Sequence, residues 1–259
     1  MTRSGQGARA VLRASFADAA ARRSAFWTQI AAMVVNDVAW VAFWVIFFDQ
    51  VQSVRGWDVH RVLLLFAVLT TSAGLVLGLL SNCRRIPTLV EQGSLDEMLT
   101  LPVSPLRHLL VRRIDPINLG DVGFGVVLFT LAGHPTPTHV LVYVTGSLAS
   151  AALLTGFLVA IGSLVFFTGR GTAADLGLHS VLLLASYPAD VFTGATKALL
   201  YTAIPAAFVS AVPAALIDDF DVRDSVLLLC AAAAFLALGA VAFHAGLRRY
   251  ASGSAWGRL

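Results

Sequence analysis

The sequence predicts an all-α polytopic membrane bundle: six transmembrane helices, an N-terminal interfacial helix and a re-entrant segment before the last helix. Three observations carry the prediction. Of the 259 residues, 58% are apolar and only 13% are charged, against roughly 45–50% and about 25% in soluble domains. Mean hydropathy is +0.79. The apolar residues gather in runs long enough to cross a bilayer, and the basic residues fall on alternate connections between those runs. A soluble globule, a disordered chain, a collagen-like repeat and a coiled coil are excluded by the same numbers.

A helix rises about 1.5 Å per residue, so about 20 apolar residues cross a ~30 Å hydrocarbon core. Ala8–Ala25 comes first, with Val11, Leu12, Phe16 and Ala19 near one face and arginines elsewhere. This pattern predicts a helix over residues 1–25 lying on the inner leaflet. Arginines punctuate the N-terminus throughout, so no cleaved signal peptide is expected. The six expected crossings are Phe26–Phe48, His60–Leu80, Asn118–Ala132, His139–Phe167, Leu176–Gly194 and Val226–Gly246. The third is short and is interrupted by Gly120, Gly123 and Gly125; it either begins as early as Ile114 or is irregular.

Between the second and third crossings, Ile86, Leu89, Val90, Leu95, Met98, Leu99 and Leu101 alternate with Glu91, Asp96 and Glu97 before Pro102 and Pro105. Residues 82–115 therefore read as an amphipathic cytoplasmic loop. The stretch from Leu176 to Ile217 is too long for one crossing and contains Pro188, Pro205 and Pro213. Two crossings here would make seven and carry Arg248 and Arg249 outside. One crossing followed by a dip over Lys197–Ile217 into the outer leaflet is the expected arrangement, its broken backbone lining a cavity or packing on protein.

Seventeen of the eighteen basic residues are Arg. The N-terminal arm, residues 82–115, Arg170 and the C-terminal tail together hold fourteen, whereas the alternate connections hold Arg55, Arg61 and Arg223. Cytoplasmic loops are enriched in basic residues, so both termini are expected in the cytoplasm of a multi-pass protein of the cell membrane. The charges lie between apolar runs, which makes the lipid bilayer, and not nucleic acid, the expected partner. No internal repeat divides the chain, and residues 1–259 read as one membrane domain.

Polar residues inside apolar runs are the candidate functional groups. Asp37, beside Asn36, falls in the middle of the first crossing. An acidic group there costs about 2.5–3.5 kcal/mol, and the ten Ile, Val and Phe residues between Ile30 and Phe48 return about 3–6 kcal/mol, so the span still inserts. Asp37 is either a proton relay or substrate contact, or a carboxylate bonded to a neighbouring helix. Asp121, Asp190 and Lys197 carry the same two readings, and the last two are placed to pair near the outer surface. Gly74 and Gly78 form a GxxxG that lets two helices approach closely. Trp40, Phe43, Trp44, Phe47 and Phe48 read as packing near the outer interface.

Chemistry of the chain's own is not expected. Cys83 and Cys230 are far apart and predict neither a disulfide nor a metal site. His134 and His139, five apart across a short loop, read as interfacial residues. The single lysine follows Thr196, so no phosphate-binding loop exists, nor a nucleophile elbow or zinc-binding His pair. No catalytic residue or cofactor is assigned to the chain. Uphill transport would draw on an ion gradient, with Asp37 as its group, or on another polypeptide; a non-transporting scaffold subunit is the third reading.

The segment Glu91-Gln-Gly-Ser-Leu-Asp-Glu-Met-Leu-Thr-Leu-Pro-Val-Ser-Pro105 resembles the G-x-L-D-x-x-L-x-x-P-x-S-P signature between the second and third spans of type-2 ABC exporter permeases, which are six-span bacterial membrane subunits. Two further stretches fit in order: Ser186-Tyr-Pro-Ala-Asp-Val-Phe through Ile204–Ala214, and Gly246–Ser254. Thr100 departs from the pattern, where an Arg often precedes the Leu-Pro turn. The resemblance implies a permease paired with a second one, identical or paralogous, on two copies of a separate ATPase subunit that binds ATP and Mg. It implies that Glu91, Gly93, Leu95, Asp96, Leu99, Pro102 and Pro105 couple the loop to that ATPase.

Overall fold

Where lipid is the solvent, each backbone N–H and C=O has to be satisfied within the chain, and the apolar runs accordingly fold into helices. The computed structural model describes residues 23–99, 102, 104–132 and 135–250, and among these no strand occurs. The first helix, α1, spans Arg23–Gln50, so Arg23–Ala25 belong to it and not to the interfacial helix expected over residues 1–25; the rest of that segment lies outside the described residues. Among the described side chains of α1, only Trp44 and Phe48 are buried. A turn with Arg55 and Gly56 at positive φ leads to α2, Val59–Leu79. The Asp58 carboxylate accepts from the Arg61 N–H at 2.9 Å, an N-cap that satisfies a donor the helix leaves free. α2 is the centre of the bundle, buried almost throughout from Val62 to Gly78.

After a 3₁₀ turn at Ser81–Arg85 come three short helices, α3 (Ile86–Glu91), α4 (Asp96–Leu99) and α5 (Pro105–Val111). α6 covers Leu119–Leu131, α7 Pro137–Gly162, α8 Val165–Thr168 and α9 Thr172–Ala185. The Thr136 hydroxyl caps α7 by accepting from the His139 N–H, and Pro137 sits in its first turn, where a missing N–H costs nothing. α10 spans Gly194–Tyr201, α11 Val212–Asp218 and α12 Val222–Leu247.

Four helical stretches are long and apolar enough to cross a membrane: Phe26–Gln50, Val59–Leu79, Pro137–Thr168 and Val222–Leu247. Leu119–Leu131, Thr172–Ala185 and Ala207–Asp218 are shorter apolar helices. The expected crossing Leu176–Gly194 is thus corrected to α9, which has 14 residues and a length of about 21 Å. It stops ahead of Pro188 because a proline disfavours helical backbone at the residue before it.

Residues 194–218 form a helix, a turn and a second helix. Lys197 near its start binds Asp190, and Asp218 at its finish meets His60 and Arg61, so the hairpin leaves and rejoins the bundle at the same end. Its middle is buried from Ala206 to Ala211. There the backbone widens into a π-helical turn at Ala207–Ala211, just before Pro213, which cannot donate to the turn below. Two serines serve carbonyls in this region: Ser150 donates to the Phe208 C=O at 3.0 Å and Ser210 to the Ala185 C=O at 2.6 Å.

Helix contacts are made through small residues. A Cβ on Gly74 would meet the Val122 backbone N at 2.8 Å and the Asn118 O at 2.9 Å, and one on Gly78 would meet Leu119. The GxxxG pair therefore seats α6 against α2 inside the chain. Gly156 of α7 and Gly239 of α12 face each other, a Cβ on Gly239 reaching the Gly156 O at 2.5 Å. Cys83 is wholly buried and Cys230 exposed, both as free thiols. Burial pushes the Cys83 thiol up to about 12, which leaves it inert at neutral pH.

Candidate functional site

The two ends of the bundle differ. One gathers the turn 51–58, Asp190, Lys197 and Asp218, and carries Arg55, Arg61 and Arg223. The other gathers the loop 81–115, the turn 169–171 and the finish of α12, with Arg84, Arg85, Arg107, Arg112, Arg113, Arg170, Arg248 and Arg249.

At this second end the loop is stapled at its base. Asn82 Nδ2 donates to the Leu109 C=O at 2.9 Å, Ser81 Oγ donates to the Arg113 C=O at 3.0 Å, and the Asp115 N–H donates to the Gly78 C=O at 2.7 Å. Arg84 lies 3.6 Å from the Asp115 carboxylate. Inside the loop, Ile86, Leu95, Met98 and Leu109 are all but inaccessible and join the main apolar core. Gly93 has φ +69°, a left-handed turn that a residue with a Cβ adopts only with strain. It turns the chain from α3 into α4 so that Leu95 and Met98 point inward.

The residues expected to couple to an ATPase therefore separate into three groups. Glu91, Leu99 and Pro102 are exposed, while Gly93, Asp96 and Pro105 are partly covered. Leu95 is 0% exposed and serves the shape of the loop; it offers no surface. Thr100, Leu101 and Val103 lie outside the described residues. Glu91 also does something its sequence position does not suggest: its Oε1 accepts from the Gly171 N–H at 2.8 Å, tying this loop to the next connection on the same end. A Cβ on Gly171 would meet Pro87 at 2.6 Å and Glu91 at 3.2 Å. We expect Glu91→Ala to release Gly171, with amide exchange there rising about five- to tenfold for a bond worth ~1 kcal/mol.

At the opposite end Asp190 is held by three side chains. Lys197 Nζ lies 2.7 Å from Oδ1, Trp57 Nε1 donates to Oδ2 at 3.0 Å, and Arg55 donates to the backbone C=O at 2.8 Å. Burial acts to raise the Asp190 pKa, but the bonds from Lys197 and Trp57, with the charges of Lys197 and Arg55, hold it below the usual value. The Asp190 bond holds Lys197 above its usual value. A depressed carboxylate stabilises the fold above its unfolded pKa, near 3.8, and loses that contribution as pH falls through the folded value. Asp190→Asn should therefore unfold more readily than the parent at neutral pH, by at most ~1 kcal/mol for so exposed a pair. The gap should close on acidification below about pH 4, as checked by thermal midpoints across pH.

Asp37 lies on α1 and Asp121 in the first turn of α6, two helices that touch where Met33 of α1 packs on Gly120 of α6. Asn36 donates to Asp37 Oδ1 at 3.2 Å. Asp37 Oδ2 and Asp121 Oδ1 are sheltered from solvent and have no hydrogen-bond partner among the described residues. Nothing in the sequence announces that their two helices pack together. Among the described residues no group of three or more His, Cys, Asp or Glu is placed to hold a metal ion.

The family model for the ABC-2 family transporter proteins matches residues 34–254. This chain belongs to that family. The match runs through α1, the stapled loop, the hairpin and α12, so this ABC-2 family member is a membrane-embedded transporter permease, of a kind that is generally non-catalytic and typically works with an ATPase subunit. Membership leaves the ion-coupled carrier reading of Asp37 without support. No curated protein and no solved structure matches the chain.

Proposed function

We propose that this chain is the membrane half of an ATP-driven exporter, paired with a second permease, identical or paralogous, and seated on two copies of a separate ATPase subunit that binds ATP and Mg. The observation that carries the reading is the loop 81–115. It is anchored to the bundle by its hydrogen-bonded staples and by the buried Ile86, Leu95, Met98 and Leu109, yet leaves Glu91, Leu99 and Pro102 outward. A surface built this way transmits a push to the helices, because close-packed elements move as units. Eight of the eleven arginines at the two described ends lie on this side, which supports a cytoplasmic placement and with it cytoplasmic termini and a cell-membrane location.

In this reading closure of the ATPase dimer moves the loop. The Glu91–Gly171 bond passes the motion to α8 and α9, and the α1–α2 and α2–α6 contacts carry it to the path between the two permeases, switching access from inward to outward. The hairpin 197–217 dips from the outer side and returns. Apolar and aromatic walls favour a hydrophobic or amphipathic cargo. The test is affinity purification of the tagged chain from its membrane. A phosphate-loop ATPase recovered with it, two per permease pair, is the expected result; recovery of the permease alone removes the reading.

A further inference from the structure

At the end of the bundle away from the arginine-rich loop, the His60 ring in the first turn of α2 is held between two oxygens from other elements. Its Nε2 lies 3.0 Å from Asp218 Oδ1 at the end of α11. Its Nδ1 is within bonding distance of the Ala132 C=O. Ala132 follows Leu131, the last residue of α6, so its carbonyl is among those a helix end leaves without an internal partner and lies at the negative end of the helix dipole.

A neutral imidazole has one N–H, and its other nitrogen is an acceptor. Between two acceptor oxygens it satisfies one and turns a lone pair on the other. The imidazolium donates from both nitrogens and satisfies both. A carboxylate and a helix C-terminus are also the two surroundings that favour a cation. The other charged groups here leave the ring its place. Arg61 of α2 lies 3.7 Å from Asp218 Oδ2, which keeps Oδ1 for His60. Asp58, the N-cap of α2, accepts from the Arg61 N–H. From α6 the ring meets the Ala132 carbonyl; His134, just beyond it, lies outside the described residues. The His60 side chain is 41% exposed, so protons reach it from water.

We infer that His60 is a proton-operated latch: doubly protonated, it ties the start of α2 to both the end of α6 and the end of the hairpin, and on losing one proton it lets go of one of them. The sign follows from the bonds, with the tie made in acid and lost as pH rises. An unperturbed histidine changes charge between about pH 5 and 8. The hairpin's other anchor, Asp190 with Lys197, lies outside that window, because the carboxylate is held below and the ammonium above its usual value. Release is therefore confined to the His60 side. On the placement proposed above this end faces the exterior, and the latch reads the pH there, at the end through which cargo would leave. The ring chemistry itself does not rest on that placement.

The test uses the full chain, ¹⁵N-labelled at its six histidines, in nanodiscs, where both ends meet the same buffer and the result holds whichever way the chain faces. His60→Gln assigns the His60 signals. At about pH 5.5 both ring nitrogens should carry a proton, and by about pH 9 only one. Amide exchange over residues 128–132 and 215–219, corrected for the pH dependence of the chemical rate, should rise about tenfold in at least one segment with the same midpoint, as losing a charge-assisted bond implies. His60→Gln should lack this step and match the parent at high pH. Should that variant not fold, the parent's own ring and exchange series decide. A ring with a single proton at pH 5.5, or protection unchanged while the ring titrates, overturns the proposal.

Discussion

With the docking proposed above, replacing Leu99 by Asp is expected to strip the ATPase subunit from the purified complex, its recovery per permease falling tenfold or more, while the permease itself remains folded. Leu99 is 40% exposed at the end of α4, directly after Met98, which is buried in the core. A charge at an exposed site away from caps and bonds changes stability by only about ±0.5 kcal/mol. Losing an apolar anchor at the centre of an interface costs about 2 kcal/mol or more, and about 1.4 kcal/mol is a factor of ten in affinity. The comparison is Leu95→Ala. That side chain is wholly buried, and its truncation should cost about 2–5 kcal/mol of stability and soften the whole loop. Equal recovery of ATPase with Leu99→Asp and with the parent would place the contact elsewhere.

The second large effect belongs to the bundle. Gly156→Leu is expected to prevent accumulation of folded protein, or to lower its unfolding midpoint sharply, because a Cβ there falls on the backbone of Phe235 and Leu236 in α12. Backbone cannot rotate aside as a side chain can, so overpacking at this crossing should cost at least the usual ~1–3 kcal/mol. Gly123 on α6 is the contrast, since nothing lies within 4 Å of a Cβ added there. Gly123→Ala should be neutral or stabilising, by up to about 1 kcal/mol from helix propensity. Unfolding in mixed micelles reads both variants. A Gly156→Leu protein as stable as the parent would mean that α7 and α12 do not cross at that point.

Much of the architecture was legible along the chain. The helices near Phe26–Phe48, His60–Leu80, His139–Phe167 and Val226–Gly246 came from run length alone, with ends shifted by a few residues. The end of α9 is not legible in run length, because Leu176–Gly194 stays apolar past Pro188; the proline is the signal that marks it. Asp190 and Lys197, seven apart, were recognisable as a pair, but Trp57 and Arg55 on the same carboxylate come from more than 130 positions away. Glu91 and Gly171 are 80 apart, and nothing in either neighbourhood connects them. Leu95 and Leu99 look alike in an amphipathic segment, and only the turn at Gly93 sends one inward and leaves the other out.

The order of residues determined that this protein lives in lipid, that it is helical there, which end carries the arginines and which family it belongs to. These follow from local terms: apolar transfer, a backbone that must bond to itself, and charges that stay out of hydrocarbon. Which helix touches which was decided only by the tertiary structure. Lipid tails are as apolar as leucine, so hydrophobicity marks no inner face; the choice falls to close backbone approaches such as Gly156 on Gly239, whose partners lie far away in sequence.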